Sequence, residues 1–115
     1  MNNDSITEIY VEIPSLIKSI DDVAAGIVSV DGKYAEQAGT FLQKTLELFP
    51  KIIRSYSYDQ LISYASDVVY WKELLNKIIQ AFNSVDRYKM VDVLYFEAKQ
   101  SILEYKTLLE KLELV

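Results

Sequence analysis

The stretch "ITEIYVEIPSLIKSIDDVAAGIVSV", residues 6–30, decides the fold class. Its residues Ile6, Ile9, Ile13, Leu16, Ile20, Val23, Ile27 and Val30 recur at alternating spacings of three and four without a miss. An average spacing of 3.5 holds one apolar stripe of a helix against a neighbour. The alternation in "TEIYVEI" also permits a strand, but no second strand is available to pair with it.

The same repeat runs through three further segments. The second carries Ala35, Ala38, Leu42, Thr45, Phe49, Ile52 and Tyr56, and the third Leu61, Tyr64, Val68, Trp71, Leu75, Ile78 and Phe82. The fourth carries Val91, Tyr95, Ala98, Ile102, Tyr105, Leu109 and Leu112. Ser5 with Glu8, and Ser57 with Gln60, have capping-box spacing at helix starts. "DGK" at Asp31–Lys33 reads as a turn, and "NSVD" at Asn83–Asp86 as a stop followed by a cap. Helices of roughly 25 residues joined by short connections pack as antiparallel neighbours. The expected fold is therefore all-α, an antiparallel up-down-up-down four-helix bundle in one domain over residues 1–115.

The two prolines stand in matching contexts, "IPSLIKSI" from Ile13 and "FPKIIRSY" from Phe49. Both lie the same distance from Gly32, so a hairpin turning there sets them at one level, roughly 27 Å from the turn at 1.5 Å per residue. The repeat passes through each proline unbroken. Proline kinks in helices 1 and 2 are the expectation, with proline as the first turn of a shorter helix the alternative.

Near the shared turn, Ala24, Ala25 and Gly26 oppose Ala38 and Gly39, leaving room for Phe82 and Tyr88. Toward the other end, Tyr10, Tyr64 and Tyr105 fall on nearly one layer, with Tyr56 and Tyr58 beyond. They suggest a tyrosine-lined pocket for a peptide or small molecule, or core rings whose hydroxyls reach the rim. Val93, Phe96 and Leu103 point away from the fourth seam, with a fainter counterpart in Ile62 and Val69. Such a stripe marks either a partner face, for a homodimer or another protein, or ordinary surface with scattered apolar residues.

Seventeen acidic residues against twelve basic ones give a formal charge of −5, which argues against a nucleic-acid partner. Without histidine or cysteine, imidazole catalysis, thiolate chemistry and histidine or cysteine metal sites are excluded. Three glycines, at Gly26, Gly32 and Gly39, build no phosphate-cradling loop. No catalytic residue, cofactor or metal is expected, and the chain reads as a non-enzyme. The N-terminus lacks the pattern of a signal peptide, and no apolar run approaches the ~18 residues of a membrane span. A cytoplasmic location, away from membranes, is the default.

In length, acidity and helix count, though in no motif, the layout is similar to the small acidic helical chaperones of bacterial flagellar export. That resemblance implies a partner chain held against the bundle's outer grooves. The leading expectation is an interaction protein that self-associates through the outer face of helix 4. The alternatives are a peptide- or export-chaperone-like bundle and a small-molecule-binding bundle using its tyrosine end.

Overall fold

The computed structural model describes residues 4–28, 34–84 and 86–115. Every regular element among them is helical. Helix α1 (Asp4–Val28) and helix α2 (Tyr34–Ser55) are followed by a 3₁₀ turn at Ile62–Tyr64 and by α3 (Asp67–Asn83). Then α4 (Arg87–Val91), a π-helical segment (Asp92–Ala98) and α5 (Lys99–Lys111) run on as one fourth rod. The four rods pack in a bundle-like manner into a body of 44 × 23 × 20 Å. The expected Asp31–Lys33 turn with Gly32, the seam residue Val30 and the side chain of Ala35 lie outside the described residues.

Helix α1 follows its sequence pattern closely. From Ile6 to Ile27 all seven apolar stripe residues are buried, each contributing about 1.5–3 kcal/mol by leaving water. Pro14 and Pro50 are both interior to their helices, so neither starts a new one. Lys51, beside Pro50, reaches Glu12 at 3.9 Å, and Lys44 donates to Ser15 and Ser19 at 2.8 and 3.1 Å. These contacts set the two prolines at one level.

The other pairs of rods are also joined early to late. Tyr10 donates to Glu110 at 2.8 Å, while Lys99 meets Asp21 at 2.7 Å. Phe49 packs edge-on to Trp71 with ring centres 5.2 Å apart, and Phe41 lies against Phe82 at 5.9 Å. Lys77 pairs with Glu97 at 2.9 Å, and the hydroxyls of Tyr70 and Ser101 share a bond at 2.9 Å.

The third rod is shorter than its apolar repeat suggests. From Tyr56 to Ala65 the backbone bonds run from residue i to i−3, as in Leu61 to Tyr58 and Tyr64 to Leu61, both 2.9 Å. This tighter winding rarely persists for long, and α3 begins only at Asp67. Ser57 does not form the expected capping box. Its hydroxyl instead donates back to the Arg54 carbonyl at 2.8 Å, closing the end of α2. Leu61, fully buried, anchors the segment to the core.

Both ends of the fourth rod are capped. Asp86 accepts from the Lys89 amide at 3.1 Å. At the far end Leu114 bonds back to Leu109 and Glu113 to Glu110, with Glu113 at φ 58°. That is a Schellman closure using glutamate where glycine is usual. Near the end of α1 and the start of α2, Ala24 and Ala38 are buried, but Gly39 is exposed and would meet nothing on gaining a Cβ. Phe82 is partly buried there, whereas Tyr88 points to solvent at 84% exposure.

Candidate partner surface and aromatic cavity

The fourth rod departs most from its sequence reading. Its buried residues Met90, Leu94, Ala98 and Ile102 are four apart throughout, before Tyr105 and Leu109 restore the usual alternation. An α-helix with 3.6 residues per turn cannot keep such a run on one side. The wide turn of the π segment, with bonds reaching five residues, absorbs the extra residue.

Upstream of Ala98 the inward stripe is therefore slipped by one position. Tyr95, expected in the seam, is 39% exposed, and Val93, expected on the outer face, is buried at 6%. Val93 leaves the proposed partner surface. The physical reason is polar: a buried Tyr95 needs a partner for its hydroxyl, whereas Leu94 and Met90 need none.

Phe96 does point outward, at 64% exposure, and its ring meets Tyr95 edge-on with centres 5.5 Å apart. The Lys99 ammonium lies 4.6 Å from the centre of the Tyr95 ring. Its hydrogen bond to Asp21 raises its pKa above the ordinary lysine value. Leu103, two turns beyond Phe96, is half-buried. Ile62 and Val69 are exposed, on the 3₁₀ turn and the first turn of α3. Val69 sits near the Trp71–Tyr105 level, about 13 Å along the rod from Phe96 at 1.5 Å per residue.

The five tyrosines assigned to one mouth are divided among different places. Tyr56 and Tyr105 are core residues, 3% and 2% exposed, with ring centres 5.9 Å apart. Trp71 donates to the Tyr56 hydroxyl at 2.9 Å, and Tyr105 shares a 2.6 Å bond with Ser55. Burial pushes the Tyr56 phenol up to about 12 and raises Tyr105 in the same direction. Tyr10 bridges to Glu110, and that bond raises its pKa. Tyr64 is partly buried against the core. Tyr58 lines an open cleft of about 340 Å³ with Ser5, Glu8, Ile9, Lys51, Arg54 and Ser57. A phenol in the seam turns inward to complete the core, so one common pocket does not form.

A smaller cavity of about 140 Å³ opens between α3 and the fourth rod. Tyr56, Asp67, Tyr70, Trp71, Ser101, Glu104, Tyr105 and Leu108 line it. Six of these were not assigned to a site from sequence, although a signal exists. Asp67, Tyr70 and Trp71 share one helix face, as do Ser101, Glu104, Tyr105 and Leu108.

Among the described residues no cluster of acidic side chains could hold a metal ion, and no helix is long and apolar enough to cross a membrane. The chain matches no protein-family model, no curated protein and no solved structure.

Proposed function

We propose that this chain is a non-enzymatic interaction protein that pairs with a second copy of itself through the outer face of its fourth rod. Phe96 forms the centre of that face, with Tyr95 beside it and Leu103 two turns on. One observation carries the reading: a π-helical turn directs two adjacent aromatic rings outward, where an unbroken α-helix would leave one in the seam. π turns often occur at functional sites. Leaving such rings in water is unfavourable by roughly 25 cal/mol per Å², and a two-fold pair is the commonest way to cover a self-complementary patch. Capture of a different helical protein by the same face is the alternative.

This reading takes the rods as an up-down-up-down bundle in which α1 and α2 bend together at Pro14 and Pro50. The early-to-late contacts between successive rods support that topology. The outward position of Pro14 supports the bend, because helices curve with their convex side to solvent.

Sedimentation and circular dichroism of wild type and Phe96→Glu test the proposal. A dimer that becomes a helical monomer on substitution is expected. If both proteins sediment alike, the surface does not mediate self-association.

A further inference from the structure

Two copies that meet at Phe96 can set their fourth rods parallel or antiparallel, and the exposed residues on either side of Phe96 favour one arrangement. Tyr88 and Lys89 stand eight and seven residues before it, and Glu104 and Leu103 eight and seven residues after it. Tyr88, at 84%, is the most exposed large apolar side chain among the described residues. Lys89 and Glu104 are exposed and Leu103 is half-buried. Among the described residues neither Lys89 nor Glu104 forms an ion pair within its own chain.

The π turn brings these residues into line. Fifteen residues separate Tyr88 from Leu103, and fifteen separate Lys89 from Glu104. Four α-helical turns take about 14.4 residues, and the wide turn at Asp92–Ala98 adds up to about one more. Tyr88 therefore shares one line along the rod with Leu103, and Lys89 shares the neighbouring line with Glu104. Each residue lies about 11 Å from Phe96 at 1.5 Å per residue, on opposite sides of it.

A two-fold axis crossing the rods at Phe96 runs them antiparallel and keeps each line facing its own copy. The Tyr88 ring then covers Leu103 of the second copy, and the Lys89 ammonium meets the Glu104 carboxylate. Symmetry repeats both contacts at the other end. Parallel rods instead set Lys89 level with Lys89 and Glu104 level with Glu104, and neither finds an opposite charge. Each copy carries a charge of −5, so approach is repulsive unless local charges match. Antiparallel rods also oppose their helix dipoles favourably.

We propose, resting on the pairing through Phe96, that the two fourth rods run antiparallel about Phe96, with Lys89 of each copy paired to Glu104 of the other. Tyr88 is the apolar cover for Leu103 in the same contact.

Sedimentation over a range of concentrations measures the wild-type pair. Lys89→Glu and Glu104→Lys are each expected to weaken it by about fivefold or more, and the double variant to restore it. Net charge alone would act otherwise, because the first substitution makes the chain more negative and the second less. The chain has no cysteine, so single introduced ones report orientation. Asp92 and Gln100 are both exposed and each lies four residues from Phe96, so they face each other only in the antiparallel pair. Brief oxidation of mixed Asp92→Cys and Gln100→Cys proteins is expected to link unlike chains, while Asp92→Cys alone, out of disulfide reach of its copy, links far less. Absence of the mixed link, efficient linking of Asp92→Cys to itself, or single charge reversals without effect overturns the antiparallel arrangement while a Phe96-dependent pair still stands. A wild type that is monomeric at every concentration overturns the pairing and the orientation together.

Discussion

The indole N–H of Trp71 donates to the hydroxyl of Tyr56 at 2.9 Å, inside a cluster where the same indole packs edge-on to both Phe49 and Tyr105. One side chain thus joins α2, α3 and the fourth rod. It acts through packing and also as the partner of a buried phenol.

Replacing Trp71 with alanine removes both contributions. Large-to-small core changes of this kind cost about 3–5 kcal/mol. Tyr56→Phe keeps the ring but leaves the indole N–H without an acceptor, and costs about 1–3 kcal/mol. Urea unfolding followed by circular dichroism ranks the two. A Trp71→Ala protein as stable as wild type would contradict the buried position of this residue.

The buried phenols make the fold sensitive to alkali. In an unfolded chain a tyrosine titrates near about 10, whereas burial holds Tyr56 at about 12 and raises Tyr105 as well. Between these values the unfolded chain gives up protons that the folded chain retains. Stability is therefore complete below pH ~10 and falls as pH rises toward and through ~12, with about 2–3 kcal/mol at stake for Tyr56 alone. Urea midpoints at about pH 9 and about pH 11 should differ in that direction. A flat profile would mean that neither phenol is held protonated by the fold.

Thr45 occupies a seam position with its hydroxyl buried and without a hydrogen-bond partner. Valine has nearly the same shape and no polar group to desolvate. Thr45→Val is expected to raise stability by about 1 kcal/mol, read as a higher urea midpoint with an unchanged slope. A destabilised variant would point to a partner such as buried water.

Removing Tyr95 altogether is a stringent test of the π turn. The inward residues Met90, Leu94, Ala98, Ile102, Tyr105 and Leu109 would then be spaced four, three, four, three, four, as a plain α-helix requires. The deletion should leave helical content and stability close to wild type while weakening self-association. Global unfolding would show that the wide turn is needed for the core rather than for the surface.

Much of this was legible in the chain because helix-period burial is a local signal. Ile6 through Ile27 are inward as their spacing dictates, and Asp86 caps as its position suggests. Three features escaped for physical reasons. The apolar repeat from Leu61 to Val68 continues through a segment whose backbone is wound in i to i−3 turns, because burying Leu61 does not require an α-helix there. In the fourth rod two registers fit the sequence equally well, Val91 with Tyr95 or Met90 with Leu94. The unmet hydroxyl of tyrosine decides between them only once the neighbours are known. The aromatic cavity was hidden for a similar reason, since its lining comes from three elements.

Pro14 and Pro50, inside α1 and α2, also change the backbone bonding of the two helices. A proline has no amide hydrogen, so the carbonyls of Tyr10 and Leu46, four residues earlier, lack their usual intrahelical donors. The cross-links between Lys51 and Glu12 and between Lys44 and Ser15 place those gaps side by side. Opening either helix at this level breaks fewer backbone bonds than opening it elsewhere, and local opening follows such differences. In amide exchange, α1 and α2 should divide together into two protection zones at this level, so that the hairpin breathes as paired halves rather than fraying only from its ends.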